Sequence, residues 1–89
     1  ASVSSVVYKR QYVTDLVRSL VEQIVDEPEA VAVDFVTCGS DEIEVQITVA
    51  EGDIGKVIGR QGRIIKAIRT LARAAASQCG LHAEVELAD

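Results

Sequence analysis

A two-glycine turn between two helical patterns is the feature that most constrains the fold of this 89-residue chain. Gly59 and Gly62 enclose Arg60 and Gln61, and a helical pattern begins near Arg63. Glycines carry no side chain, so backbone N–H groups in such a turn can approach a ligand closely. A helix that starts there adds the positive end of its dipole. The turn therefore indicates a site that grips phosphates along a chain.

The distribution of charge supports this interpretation. A net charge of −5 taken alone argues against nucleic acid, yet residues 54–83 contain no Asp or Glu. Six of the nine basic residues lie in that segment: Lys56, Arg60, Arg63, Lys66, Arg69 and Arg73. The local separation of charge is therefore more informative than the sum over the chain.

The remaining patterns predict an α+β domain. Apolar residues at helical spacing run from Tyr12 to Ile24, and this helix should end before Pro28. Residues 30–37, 42–49 and 82–87 predict three strands, of which the first two form an antiparallel hairpin. Helices connect the second strand to the third, so that pair should be parallel. The order is α-β-β-α-α-β, which gives a three-stranded mixed sheet with helices on one face.

Other features fix the limits of the domain. Residues 1–9 lack a clear period and predict a flexible N-terminal tail, which leaves residues 10–89 as the domain. No apolar run is long enough to span a membrane, and the N-terminus lacks the layout of a signal peptide.

The uncovered face of the sheet should be acidic. The alternating strands should project four glutamates from it: Glu42, Glu44, Glu84 and Glu86.

The segment Val57–Ile68, which reads VIGRQGRIIKAI, resembles the core of a KH domain, an RNA-binding module whose GxxG loop clamps a short run of backbone. The predicted order of elements is similar to the type II, or prokaryotic, KH arrangement. The resemblance covers about residues 10–88 and is closest to the KhpA family of small bacterial single-KH proteins. Further shared residues occur in Leu20–Val31 and Gly55–Gly59.

This resemblance implies an RNA-binding protein of the bacterial cytoplasm that acts in post-transcriptional regulation, in the manner of an RNA chaperone. It also implies heterodimerisation with a larger RNA-binding protein that carries its own KH domain. A homodimer is a separate hypothesis, which comes from an apolar stripe on the long helix. The expected ligand is single-stranded RNA, bound with weak sequence preference and modest affinity because few phosphates are neutralised. Aromatic residues are few, so stacking is not expected to be the main means of reading bases. The RNA-binding residues carried over are Lys56, Gly59, Arg60, Gln61, Gly62, Arg63 and Lys66.

Other residues of the helices leave alternatives open. The groove floor is expected among Ile54, Val57, Ile58 and Ile65, with Ile58 and Ile65 the strongest candidates for the core instead. Lys66, Arg69 and Arg73 share one side of the long helix without an acidic partner at helical spacing, which suggests an anionic partner. A second stripe is either a dimer contact or the edge of the core: Ile64, Ala67, Leu71 and Ala74. Lys9, Arg10 and Arg18 are either an auxiliary RNA contact or, as we prefer, a solvated face.

Two other classes of function compete. The domain could serve as a dimerisation subunit whose partner supplies most of the RNA contact, which the net charge and the Leu71 stripe favour. Catalysis is not expected, because Lys56 precedes Val57 rather than Ser or Thr and so forms no Walker A loop. The glycine spacing does not fit a dinucleotide site, and the single histidine has no evident nucleophile to activate. No cofactor or metal is expected, since Cys38 and Cys79 are isolated.

Overall fold

The chain forms helices and strands in the predicted order. The computed structural model describes residues 3–88, with side chains from Tyr8 onward. The helices are α1 (Val3–Glu22), α2 (Ile54–Ile58) and α3 (Arg63–Gln78), and the strands are β1 (Ala32–Thr37), β2 (Glu42–Thr48) and β3 (His82–Leu87). Short 3₁₀ turns occur at Pro28–Ala30, Glu51–Asp53 and Arg60–Gly62. No helix within residues 3–88 is long and apolar enough to cross a bilayer.

The three strands make one mixed sheet in the order β1-β2-β3. Strands β1 and β2 pair antiparallel, with Val33 opposite Ile47. Strands β2 and β3 pair in parallel, with Val45 opposite Val85. The predicted hairpin, the parallel pair and the mixed sheet are all confirmed. Strand β3 is an edge strand and packs against α3.

The core lies between one face of this sheet and the helices. Alternate strand residues, such as Ile43 and Val45, point into it, and α1 contributes Val13, Val17 and Val21. Each fully buried Val or Ile contributes roughly 1.5–3 kcal/mol relative to an exposed one. The opposite face carries the predicted acids, with Glu42, Glu84 and Glu86 exposed and Glu44 half-buried. The predicted acidic face of the sheet is therefore present in the structure.

Helix α1 begins earlier than the sequence predicts. Residues 3–9, interpreted above as a tail, continue the helix in the structure. Neither Pro nor Gly occurs among them, so nothing in this segment breaks the helical backbone. Ala1 and Ser2 lie outside the described residues, and the division of the chain into a tail and a domain stays a prediction.

Two arginines of α1 fasten the helix to the sheet. Arg10 is only 8% exposed, and its Nη2 donates to the carbonyl oxygen of Ser40 in the β1–β2 turn at 2.7 Å. Arg18 donates to the carbonyl oxygen of Val33 at 3.0 Å. The preferred interpretation, a solvated face, is therefore wrong for Arg10 and for the half-buried Arg18, while Lys9 is exposed. The alternative, an auxiliary RNA contact, stays a prediction. An arginine can bury its aliphatic stem along apolar surface while its guanidinium reaches a carbonyl of another element. Helical periodicity alone does not predict such a contact.

Candidate nucleic-acid interface

The turn between α2 and α3 has a left-handed backbone at several residues. The φ angles are 76° at Gly59, 58° at Gln61 and 73° at Gly62. The N–H of Gly59 donates to the carbonyl oxygen of Gly55 at 2.9 Å, and the N–H of Gly62 donates to that of Gly59 at 3.1 Å. Within residues 3–88, Gln61 is the one non-glycine residue with positive φ. A side chain held in this region costs roughly 1 kcal/mol, and such strain concentrates at binding sites.

The two glycines of the turn are required for different reasons. A Cβ atom built on Gly59 would lie 2.5 Å from Cγ1 of Ile64, far inside van der Waals contact. A Cβ atom on Gly62 would meet nothing within 4 Å. Gly59 is therefore fixed by both its backbone angle and the packing of Ile64, and Gly62 by its backbone angle alone.

The start of α3 is rich in hydrogen-bond donors and positive charge. Gly62 is the N-cap residue and provides no side-chain hydrogen bond, and the N–H of Arg63 donates to the carbonyl oxygen of Arg60. The N–H groups that follow in the first turn of the 16-residue helix have no acceptor within the helix. Arg60, Gln61, Arg63 and Lys66 are exposed around them, and Arg63 donates to Oε1 of Gln61 at 3.2 Å. None of the ion pairs between described side chains involves Arg60, Arg63 or Lys66. We call this surface, formed by Gly59–Arg63 and Lys66, the GxxG surface.

Lys56 differs from the other predicted RNA-binding residues, because it is paired with carboxylates. Its Nζ lies 3.0 Å from Oδ2 of Asp26 and 3.6 Å from Oδ1 of Asp53. The hydrogen bond and charge of Asp26 raise the pKa of Lys56 above its usual value. Lys56 therefore already has anionic neighbours, and its predicted role as an RNA contact competes with them.

Asp53 is a residue of the site that the sequence analysis missed. It is 3% exposed and lies just before α2, where its carboxylate accepts hydrogen bonds from the N–H groups of Asp26 at 3.2 Å and Glu27 at 3.0 Å. Burial opposes its ionisation, but these two bonds and the Lys56 ammonium together lower the pKa of Asp53 below its usual value. Asp53 thus ties the segment after α1 to the start of the helix that leads into the turn.

The apolar residues near the turn divide between core and surface. Val57 and Ile65 are buried, whereas Ile58 is 39% exposed and Ile54 is half-buried. The expected burial of Ile65 is confirmed, but that of Ile58 is wrong. Helix α2 has only five residues, and Val57 takes its inward position. Ile54 also lines a hollow of about 450 Å³ at the ends of β2 and β3, with Thr48, Val49, Glu51 and Ala88.

The basic side of α3 is partly neutralised by β3. Nε of Arg69 donates to the carbonyl oxygen of Val85 at 3.2 Å, and Nη2 of Arg73 lies 3.3 Å from Oε2 of Glu84. The sequence shows no acidic partner for Arg73 at helical spacing because Glu84 lies eleven residues away on another element. The expectation that the whole basic side awaits an anionic partner is therefore wrong for Arg73.

The predicted dimer stripe lies mostly at the surface. Ala67 and Ala74 are exposed, and Leu71 is 48% exposed. Ile64 is half-buried, and it packs against the core and beside Gly59. The stripe therefore presents one large apolar side chain between two small ones.

The order of helices and strands, the mixed sheet and the GxxG turn between α2 and α3 together define a KH domain of type II. Comparison with known proteins gives the family. Residues 14–87 match the family model described as "KhpA/KhpB, KH domain", and the chain belongs to this family.

Curated relatives agree with this assignment. The chain is 46% identical over 68 residues to "RNA-binding protein KhpA" of Chlamydia trachomatis, covering 76% of this chain and 86% of that protein. It is 48% identical over 62 residues to the protein of the same name from Caldanaerobacter subterraneus, covering 70% of this chain and 81% of that protein.

A solved structure shares the fold. The chain is similar to Era of Aquifex aeolicus, in a crystal structure bound to GDP and AlF4⁻, with a TM-score of 0.66 and 21% identity. The match covers 85% of this chain and 30% of the Era chain. At this identity the likeness shows the fold alone.

Proposed function

We propose that this domain binds short single-stranded RNA through the GxxG surface. The observation that carries the proposal is the left-handed turn at the uncapped start of α3, around which Arg60, Arg63 and Lys66 have no carboxylate partner among the described side chains. Backbone N–H groups at a helix start, together with cations, form a suitable site for phosphates. The names of the curated relatives support RNA as the ligand.

In this mechanism the turn holds the sugar–phosphate backbone and the bases lie beside it. The free N–H groups in the first turn of α3 and the Arg60 guanidinium contact the phosphates. The bases enter the groove between the helices and the outer edge of β3, where Ile54 and Ile58 offer apolar contact. A KH groove of this kind accommodates about four nucleotides. Base stacking plays a small part, since the exposed aromatics Tyr8 and Tyr12 lie on α1.

The test is fluorescence anisotropy with short labelled RNAs at two salt concentrations. The double variant Arg60→Asp/Gln61→Asp should lose binding without unfolding, because both side chains are exposed. Lys9→Asp/Gln11→Asp is a matched control: it makes the same change of charge at exposed positions of α1. If the control lost as much affinity as the double variant, overall charge rather than the GxxG surface would explain binding.

We further propose that the domain works as a homodimer, or as a heterodimer with a larger RNA-binding protein that has its own KH domain. The exposed Leu71 between Ala67 and Ala74 supports a helix-to-helix contact. Two linked grooves would gain avidity that one short groove lacks. Such an assembly suits a non-catalytic role in post-transcriptional regulation in the bacterial cytoplasm.

The alternative is a dimerisation subunit whose partner provides most of the RNA contact. The net charge of −5 and the pairing of Lys56 with Asp26 and Asp53 favour it. Absence of binding by the isolated domain at tens of micromolar, with binding restored by a partner, would support this alternative over direct binding.

A further inference from the structure

The face of the sheet opposite the helices is open to solvent along the part of the chain that the structure describes. Its outward side chains form rows that cross all three strands, as at Val36, Glu44 and Glu84. Apart from the half-buried Glu44, the side chains that characterise this face are exposed. We call the surface the acidic face, and its defining residues are Asp34, Val36, Glu42, Glu44, Glu84 and Glu86.

The five carboxylates of the acidic face account for the whole net charge of the chain. The chain has 14 acidic and nine basic residues, which gives the net charge of −5. Without these five, nine acidic residues remain and equal the nine basic residues in number. The surplus negative charge is therefore concentrated on one side of the molecule.

Most of the charge on the acidic face is uncompensated. Glu44 lies directly opposite Glu84, and like charges in that relationship repel each other. Gln46 donates to Glu44 at 2.7 Å, and Arg73 lies 3.3 Å from Glu84. Three further carboxylates have neither an ion pair nor a side-chain hydrogen bond between described residues: Asp34, Glu42 and Glu86.

The GxxG surface is the counterpart of the acidic face in charge. Arg60, Arg63 and Lys66 have no carboxylate partner among the described side chains. Next to them Ile58 is 39% exposed, much as Val36 is 46% exposed on the acidic face. The helices that carry the GxxG surface pack on the other side of the sheet, so the two surfaces cannot meet within one molecule.

We propose that the acidic face is a docking surface for the GxxG surface of a second copy of this chain. Three unpaired carboxylates then meet three unpaired cations, and Val36 and Ile58 add apolar contact. The contact is heterologous, because it uses a different surface of each copy, and it is separate from the stripe around Leu71. It should be weak and sensitive to salt, since the charges on both surfaces are exposed.

The docked acidic face would occupy the same cations that hold RNA phosphates. RNA should therefore displace the second copy, and association of the domain with itself should decline as RNA is added. This consequence rests on the proposed RNA-binding function, whereas docking between copies does not require it.

The test is sedimentation velocity of the 89-residue chain at two salt concentrations. Between about 0.01 M and about 1 M salt the Debye length falls from about 30 Å to about 3 Å. The average mass of the wild-type domain should be higher in the low salt. An apolar contact through Leu71 persists in high salt, so the mass measured there is the baseline.

Two variants that each lack one of the surfaces make the test specific. The face variant, Asp34→Asn/Glu42→Gln/Glu86→Gln, and the turn variant, Arg60→Gln/Lys66→Gln, should each lose the increase in mass at low salt. An equal mixture of the two should recover it as pairs. The face variant keeps its GxxG surface, and the turn variant keeps its acidic face.

A matched control separates docking from overall charge. Glu22→Gln/Glu27→Gln/Glu29→Gln removes three exposed carboxylates that lie outside the acidic face, and it should keep the increase in mass. If net charge alone governed association, this control and the face variant would behave alike, because both lose three negative charges.

The outcomes distinguish this inference from the RNA-binding proposal. It is overturned if wild type stays at the baseline in low salt, if the face variant keeps the increase, or if the mixture does not recover it. RNA that binds in anisotropy but leaves the association intact also overturns it. Absence of RNA binding overturns the RNA-binding proposal, while the mixture still decides the docking. Circular dichroism verifies folding, and Glu86→Gln alone replaces the face variant if the triple variant does not fold.

Discussion

Ile64 packs so closely over Gly59 that a Cβ atom at residue 59 would lie 2.5 Å from its Cγ1 atom. This contact joins the end of α2 to the first turn of α3, across the bend that presents the GxxG surface. The position of the turn is therefore set by packing between side chain and backbone as well as by the left-handed angles.

Gly59→Ala should destabilise the domain more than Gly62→Ala. Both variants force a side chain into the left-handed region, at about 1–2 kcal/mol. Only Gly59→Ala also collides with Ile64, which adds about 1–3 kcal/mol for overpacking. Urea unfolding would measure the difference, and the double variant Gly59→Ala/Ile64→Ala should recover part of it. Equal destabilisation by the two single variants would contradict the packing role.

Asp53 should make stability depend on pH at the acid end. Its pKa is lowered in the folded domain, so the carboxylate contributes stability above its unfolded pKa and loses it as pH falls through the folded value. The stability difference between wild type and Asp53→Asn should be constant near neutral pH and shrink below about pH 4. Denaturation midpoints of both proteins across that range would test this, and a difference independent of pH would refute it.

The stability that Lys56 contributes should depend on pH in the opposite direction, because it is lost at high pH. Its pKa is raised in the folded domain, chiefly by Asp26, so its contribution is present below the unfolded pKa and disappears as pH rises through the folded value. The Lys56→Gln variant should therefore approach the stability of wild type only in strongly alkaline solution, above about pH 10. Urea midpoints at neutral and alkaline pH would measure it, and a gap that widened with rising pH would contradict the assignment.

The salt dependence of RNA binding should separate Lys66 from Lys56. Neutralisation of phosphates by Arg60, Arg63 and Lys66 gives a slope of roughly −2 in log K against log salt for a single strand. Lys66→Ala should make that slope shallower by about 0.7. Lys56→Ala should leave it unchanged, because Asp26 and Asp53 already neutralise the ammonium. Anisotropy titrations at several salt concentrations would measure each slope.

Leu71→Glu should yield a folded monomer if the exposed stripe of α3 forms the dimer contact. A carboxylate cannot be buried between two helices without a partner, whereas at the surface of the monomer it costs little. Light scattering coupled to size exclusion would report the mass, and Thr70→Glu, an exposed neighbour, serves as the control. A dimer that persisted in Leu71→Glu would place the contact elsewhere.

Local patterns predicted much of the fold, because its main features are local in the sequence. The alternation in β2 and β3 and the glycine turn each depend on residues close in the chain, and the structure has them where expected. Contacts between distant residues were not predictable in this way. Arg73 meets Glu84 and Arg10 meets Ser40 only after the elements have packed. Likewise, the burial of Val57 in place of Ile58 depends on how the five-residue α2 lies on the core.

Two arginines of α1 and α3 bond to the outer strands of the sheet, and these bonds have a consequence for self-association. Arg18 bonds to the carbonyl oxygen of Val33 on β1, and Arg69 bonds to that of Val85 on β3. A three-stranded sheet exposes unpaired backbone along both edges, and such edges are templates for adding a strand from another molecule. In this domain each edge has a guanidinium on one of its acceptors, so an incoming strand must first displace a charge. The fold thereby resists growth into fibrils while keeping its sheet small.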